Sequence, residues 1–211
     1  MIEVGKISKS TDTAVRQRLL SCATQLFTLK GYTATTVREI VEAAGVTKPV
    51  LYYYFRNKEG IYLELIREAF AKLDALLDSF RGLRGGVIER LLSLFGQVFS
   101  LFMENIEVAR LMYSIYYGPP QGAPFFDFDT YHMKFQGTIR RLVKEGIRKG
   151  EFHMGNANDM VWAIIGAVNV AIEVRLCHPE MGMERKRLVR ILRLILQGIS
   201  AQKARQEEKR K

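Results

Sequence analysis

A chain of 211 residues that is 48% hydrophobic can bury a sizeable core, which excludes a disordered or low-complexity protein. Its two cysteines, Cys22 and Cys177, are far apart in sequence and lack metal-ligand spacing, so neither a disulfide framework nor a zinc site is expected and a reducing, cytoplasmic setting is. The formal charge of +10 is weak support for nucleic-acid binding, because residues 184–211 alone hold ten Lys/Arg against three Asp/Glu.

Almost every segment carries helical spacing and no run alternates with period two, which predicts an all-α fold. Residues 1–10 read as an irregular polar arm. Asp12 is placed to cap a first helix carrying Val15, Leu19, Cys22, Ala23, Leu26 and Phe27, with Gly31 as its stop. Thr36-Val37-Arg38-Glu39 forms a capping box ahead of the stripe Val37, Ile40, Val41 and Ala44, and Gly45 makes the turn. Thr47 then caps a short helix in which Pro49 fits the first turn and Leu51 and Phe55, four apart, share the inward face. At about 100° per residue, Pro49 and Tyr53 point away from Leu51, flanked by Lys48, Val50, Tyr52 and Tyr54. This is a helix-turn-helix with Thr47 to Phe55 as its recognition helix. Asn57 caps a fourth helix that runs through Phe70 to about Phe80 and is longer than a small head requires, so it reads as a connector, with Gly60 weakening its first turn.

Gly31-Tyr32, Thr35-Thr36-Val37-Arg38-Glu39-Ile40, Ala44-Gly45-Val46-Thr47 and Leu51-Tyr52-Tyr53-Tyr54-Phe55-Arg56-Asn57-Lys58-Glu59 together resemble the N-terminal region of the TetR (tetracycline-repressor) family of bacterial transcription regulators. The resemblance covers about residues 12–65. Pro49 stands where many members have glycine, and Val50 where a hydroxyl is common. The resemblance implies that Thr36, Thr47, Tyr52, Tyr54 and Lys58 meet the DNA backbone. Arg38, Lys48, Val50 and Tyr53 are implied to reach base edges, with Pro49 on the same outward face. The chemistry agrees: hydroxyls and helix N-termini suit phosphate oxygens, Arg or Lys bonds guanine, and a small apolar or aromatic group meets the thymine methyl.

Gly82 to Gly86 predicts a turn before a largely apolar helix from about Val87 to Met103, and Ile106 to Tyr117 a shorter helix closed by Gly118-Pro119-Pro120. An aromatic-rich helix follows from Phe125 or Phe126 to Lys149. From Asn158 to Cys177, Ala163, Ala167 and Ala171 recur every four residues beside Gly166, and small groups there let another helix approach. The apolar stretch within it, residues 160–172, is shorter than the ~20 residues a spanning helix needs, and no charged-then-apolar leader opens the chain, so no membrane association is expected. The final helix carries Leu188, Ile191, Leu192, Ile195, Leu196 and Ile199 as one stripe, and the residues after Gln202 read as a solvated charged tail.

No catalytic or metal constellation is evident: His132, His153 and His178 lie in separate segments and GxSxG, HExxH and phosphate-loop patterns are absent, so neither an enzyme nor a cofactor is expected. The architecture expected is a three-helix DNA-binding head, residues 1–56, and a helical effector-binding and dimerisation domain, residues 57–211. Phe99, Phe102, Met103, Met112, Tyr116, Phe126, Tyr131, Phe135 and Trp162, with Asn169 or Glu173 for polarity, are candidates to line a cavity for a small hydrophobic effector. Ala163, Ala167, Ala171, Leu188, Ile191, Leu192, Ile195 and Ile199 are candidates for a homodimer interface. Two function classes follow. One is a dimeric repressor bound to a double-stranded DNA operator and released by the effector; the other is a DNA-binding protein whose helical domain docks a partner protein and holds no small molecule.

Overall fold

The computed structural model describes residues 4–117 and 122–199, with side chains described from residue 11 onward. Nine α-helices account for most of the described residues, and none of these residues forms a strand. The helices are α1 (Val4–Ala34), α2 (Val37–Ala44), α3 (Lys48–Phe55), α4 (Lys58–Ser79), α5 (Val87–Glu104), α6 (Ile106–Tyr117), α7 (Phe128–Arg148), α8 (Ala157–Cys177) and α9 (Arg185–Gly198). A single 3-10 turn, Pro179–Met181, precedes α9. The expected Gly118-Pro119-Pro120 turn and charged tail lie outside the described residues.

Several boundaries correct the sequence reading. The first helix begins at Val4, not at Asp12, because no proline interrupts residues 4–12 and extending a formed helix is far easier than nucleating one. Gly31 does leave helical geometry, at φ 80° and ψ 168°, before one last turn to Ala34. The α7 helix starts at Phe128, where Asp127 caps it by accepting the Thr130 amide at 3.1 Å. Residues 157–177 form one 21-residue helix that, by length and composition, could cross a membrane, contrary to the estimate from residues 160–172 alone. One face of it, including Ile164, Ile165, Val168 and Ile172, is buried within its own unit, as the core helix of a globular domain would be.

The chain divides into two compact units, Met1–Phe70 with Asn105–Phe126, and Ala71–Glu104 with Asp127–Lys211. In the first, α1, α2, α3, α6 and the first half of α4 enclose Leu19, Ala23, Phe27, Ile40, Leu51, Ile61, Tyr62 and Ile66, all buried. Phe27, Tyr32 and Tyr62 make mutual ring contacts at 4.9–5.6 Å between centroids. In the second, α5 packs against α7, α8 and α9 around Leu91, Leu94, Phe95, Ile139, Val143, Ile164, Leu188, Leu192 and Leu196.

That packing revises the dimer candidates. Ala171, Leu188 and Leu192 are buried inside the second unit and cannot also face a second copy. A four-residue step turns an α-helix by about 400°, so the alanine ladder drifts about 40° per step. Ala163 is exposed, Ala167 half-buried and Ala171 buried accordingly. On α9 the face through Leu188, Leu192 and Leu196 takes the core, leaving Ile191, Ile195 and Ile199 half-buried beside it.

Within the second unit, the nearly buried Arg90 donates through Nη1 to Glu145 at 2.7 Å, and Lys149 donates to the same carboxylate oxygen at 2.7 Å. Arg90 and then Lys149 hold the Glu145 carboxyl down to about 2, against an ordinary value of 4.5. A depressed carboxyl stabilises the fold above its unfolded value and ceases to do so as pH falls through its folded value. The melting temperature of wild type should therefore fall more steeply than that of Glu145→Gln between pH 4.5 and about 2, and parallel curves would remove this pair from the acid response.

Candidate nucleic-acid interface

The helix-turn-helix is held by local devices on both sides of its turn. At the start of α2, Thr36 Oγ1 accepts the Glu39 amide at 3.3 Å while the Thr36 amide donates to Glu39 Oε2 at 2.9 Å, the reciprocal capping box. Lys30 ion-pairs with Glu39, and this bond together with those from Thr36 lowers the Glu39 carboxyl to about 2. At the other end Gly45 adopts the left-handed conformation, φ 61° and ψ 39°, and its amide donates to the Glu42 and Val41 carbonyls.

With α2 buried through Ile40, Val41 and Ala44, α3 buries only Leu51 and Phe55. The opposite face is open: Tyr53 is 77% exposed and Tyr52 45%, and Thr47, Lys48 and Pro49 are exposed as well, with Val50 half-buried at the edge. Thr36 and Arg38 are exposed on α2, where Arg38 Nε also donates to Glu42 at 2.7 Å. Thr47 occupies the cap position of α3, yet its side chain makes no capping bond, contrary to the sequence reading. The exposed Thr47 hydroxyl and the Lys48 amide remain for an anionic oxygen, since Pro49 has no N–H and the Val50 amide already donates to the Thr47 carbonyl at 3.1 Å.

Besides Thr36, whose hydroxyl donates to Glu39 at 2.7 Å, and Arg38, two more of the ten candidates are engaged inside the protein. The Tyr54 hydroxyl donates to the Asp12 carboxylate and, at 3.2 Å, to the Asp12 carbonyl, and this pairing pushes the phenol up to about 12. Asp12 therefore fastens α3 to α1 instead of capping a helix. Lys58 Nζ donates to the Tyr32 and Thr35 carbonyls, both at 2.9 Å, and lies 4.1 Å from the centre of the Tyr32 ring. Its partial burial lowers its pKa. The ammonium closes the junction between α1 and α2 over the start of α4. Neither partner was visible in the sequence, since Tyr54 and Asp12 are 42 residues apart and Lys58 and Tyr32 are 26.

The turn between α3 and α4 is tightly constrained. Arg56 has φ 65°, the only positive φ among described non-glycine residues, and the Asn57 amide reaches back to the Phe55 carbonyl at 2.7 Å. This is a strained γ-turn. Asn57 then caps α4 by accepting the Gly60 amide at 2.7 Å. A Cβ at Gly60 would stand 1.9 Å from the Phe55 carbonyl oxygen, so glycine is required there and is not the weakness its helix propensity suggests.

The effector candidates are split between the units: Met112, Tyr116 and Phe126 belong to the first, and Phe99, Phe102, Met103, Tyr131, Phe135, Trp162, Asn169 and Glu173 to the second. Phe126 stacks on Phe70 at 5.3 Å, Phe99 is buried, and Phe102, Met103, Tyr131, Phe135 and Asn169 are half-buried. Trp162, 58% exposed, and Glu173 are corrected: eleven residues apart on α8, they lie on its outward face and line no enclosed space within their unit. Among the described residues, no cluster of His, Cys, Asp or Glu is arranged to hold a metal.

Residues 19–65 match the family described as bacterial regulatory proteins, tetR family. The transcriptional repressor KstR2 of Mycobacterium tuberculosis is 31% identical over 158 residues, covering 71% of this chain and 75% of that protein. The TetR family regulator PfmR of Thermus thermophilus superposes with a TM-score of 0.69 at 25% identity, over 85% of this chain and 97% of that one. The regulator FadR of Bacillus subtilis, crystallised with stearoyl-CoA, shares the fold with a TM-score of 0.62 at 18% identity, over 88% and 97% of the two chains.

The clash at Gly60 sets a test of the junction. Gly60→Ala forces the Phe55 backbone, and with it the end of α3, to move, and should destabilise the protein by about 1–3 kcal/mol in denaturant unfolding. An unchanged midpoint would show that the junction yields without strain.

Proposed function

Because this chain belongs to the TetR family of bacterial regulatory proteins, we propose that it acts as a homodimeric repressor that binds an operator through α2 and α3 and is released by a small, largely hydrophobic effector. One observation carries the DNA reading: α3 buries only Leu51 and Phe55 and turns Pro49, Tyr52 and Tyr53 outward beside an uncapped amino end. Tyr53, Lys48, Val50 and Arg38 read base edges, while Thr36, Thr47 and Tyr52 meet phosphates. Lys58 and Tyr54 serve chiefly to position α3, because their polar atoms are already engaged by Tyr32, Thr35 and Asp12. In this reading residues 1–56 are the DNA-binding domain and residues 57–211 the effector-binding and dimerisation domain, in a cytoplasmic protein with no catalytic role.

One recognition helix offers few base contacts, at roughly 1–3 kcal/mol for each good bidentate pair, so two half-sites are needed for useful specificity. The surface best suited to pairing is the outward stripe of α8, with Trp162, Ala163, Gly166 and Val170, extended on α9 by Leu194, which is 70% exposed. Exposed apolar side chains aligned along one helix favour burial against a second copy. The effector is an acyl-chain or similarly apolar molecule that meets Phe102, Met103, Tyr131 and Phe135, with Asn169 as a polar neighbour. Support comes from the half-buried state of those side chains and from the stearoyl-CoA held by the FadR of Bacillus subtilis.

Operator titration by fluorescence anisotropy tests the DNA reading. Tyr53→Ala should weaken binding and flatten base preference, whereas Thr47→Ala should weaken binding to every sequence alike. Identical preference profiles for wild type and Tyr53→Ala would remove Tyr53 from base reading.

The assembly and the signal are tested together by sedimentation and thermal shift. Val170→Glu should yield a folded monomer with reduced operator affinity, and a long-chain acyl-CoA should raise the melting temperature and release DNA. A stable dimer of Val170→Glu would move the interface elsewhere. Acyl-CoA that stabilises without changing operator affinity would favour partner docking over an effector switch.

A further inference from the structure

The second unit carries a cleft of about 560 Å³ where the connection between α4 and α5 meets the outer half of α7. That volume lies in the range of small-molecule sites, about 300–1,000 Å³. Its walls include Arg81, Arg84, Arg90, Arg141, Arg148 and Lys149 against a single carboxylate, Glu145. Like charges gathered in one recess repel unless an anion sits among them.

Part of this charge is answered within the protein. Arg81 pairs with Asp78 at 3.1 Å, and Arg90 and Lys149 share Glu145. Arg148 and Lys149 also suit the negative end of α7. Arg84 and Arg141 have no such account, and among the described residues neither they nor Arg148 has a carboxylate within ion-pair distance; Arg141 reaches only Thr138 Oγ1, at 3.3 Å.

A second, independent observation concerns Arg90 itself. Arg90 is more than nine-tenths buried and lines the recess, yet its Nε–H has no acceptor among the described residues. A buried donor left open is costly, and a ligand oxygen that reached it would complete it. The amino end of α5 does not provide the attraction, because the Val87 amide is taken by Glu151 at 2.6 Å. The donors are guanidinium forks, whose planar geometry matches phosphate oxygens in bidentate pairs. Phe80, Leu83 and Leu142 add an apolar wall that a bare inorganic ion would not use.

We propose that this cleft binds a small organic diphosphate of nucleotide size, held by Arg84, Arg90, Arg141 and Arg148. A recess that includes a buried donor suits such an anion better than the convex backbone of a DNA duplex. Its lining residues are distinct from those proposed to read the operator and from those proposed to meet the apolar effector.

Titration calorimetry on the full-length protein, with ADP, inorganic pyrophosphate and adenosine as probes, tests it. ADP and pyrophosphate should bind saturably, adenosine should not, and Arg141→Gln or Arg84→Gln should each weaken ADP by about tenfold or more. Both side chains are exposed, so these variants should keep the wild-type melting temperature. Arg90→Gln, read beside them, should also lose ADP binding. No saturable binding of ADP or pyrophosphate, equal ADP affinity in Arg141→Gln, or a loss of duplex DNA affinity in Arg141→Gln with ADP unaffected would each overturn the proposal.

Discussion

The orientation of the DNA-facing helix depends on the few atoms between Phe55 and Gly60. With two buried anchors, α3 has no extensive packed face to fix its roll, and a short helix held by one edge takes its direction from its ends. At its amino end Gly45 supplies the left-handed turn. At its carboxyl end the Phe55 carbonyl accepts Asn57 while standing where a side chain on residue 60 would be, and Arg56 is held at positive φ to permit it. A backbone conformation of this kind costs about 1–3 kcal/mol and persists only where its surroundings impose it. Lys58 imposes it, bonding the carbonyls of Tyr32 and Thr35 from the first turn of α4.

How much of this was legible in the sequence follows from the separation of the partners. The capping box at Thr36, the turn at Gly45, the break at Gly31 and the cap at Asn57 each join groups within a few residues, and all are present. Contacts across tens of residues leave no such trace. Asp12 ahead of an apolar run looks like a helix cap, but its carboxylate serves Tyr54. Lys58 looks like a cation for phosphate, but its partners come from the junction of α1 and α2. Gly60 reads as a defect until the carbonyl that excludes its Cβ is in view. The basic cleft was equally hidden, because its arginines are drawn from residues 81–90 and 141–148 and form no run in the chain.

The helices of the second unit show where periodicity alone misleads. Spacing by four suggests a common face, yet each step slips by about 40°, and over two steps Ala163 and Ala171 part company, one outside and one in the core. Spacing by eleven returns within about 20° of the start, which is why Trp162 and Glu173 share the outward stripe although neither looked like a surface partner of the other. A large aromatic ring in a hydrophobic helix reads as core or as cavity lining. Here the aliphatic side chains of Ile164, Ile165, Val168 and Ile172 fill the core, and Trp162 is left outside.

Ties between α4 and α1 constrain how any displacement reaches the DNA-facing surface. The α4 helix contributes to both units, up to Phe70 in one and from Ala71 in the other. In its first half Glu64 and Glu68 both grip Arg16 of α1, at 2.5 and 2.6 Å, while Tyr62 is buried against Phe27 and Tyr32. These ties join α4 to the platform on which α2 and α3 rest. A displacement of α4 that broke them would expose paired charges and aromatic core at once, so carrying α1, α2 and α3 along is the cheaper path. A displacement of α4 that kept these ties would change the position of Tyr53 while preserving its setting among α1, α2 and α3. The whole influence of any ligand on such a displacement is the difference between its affinities for the two states.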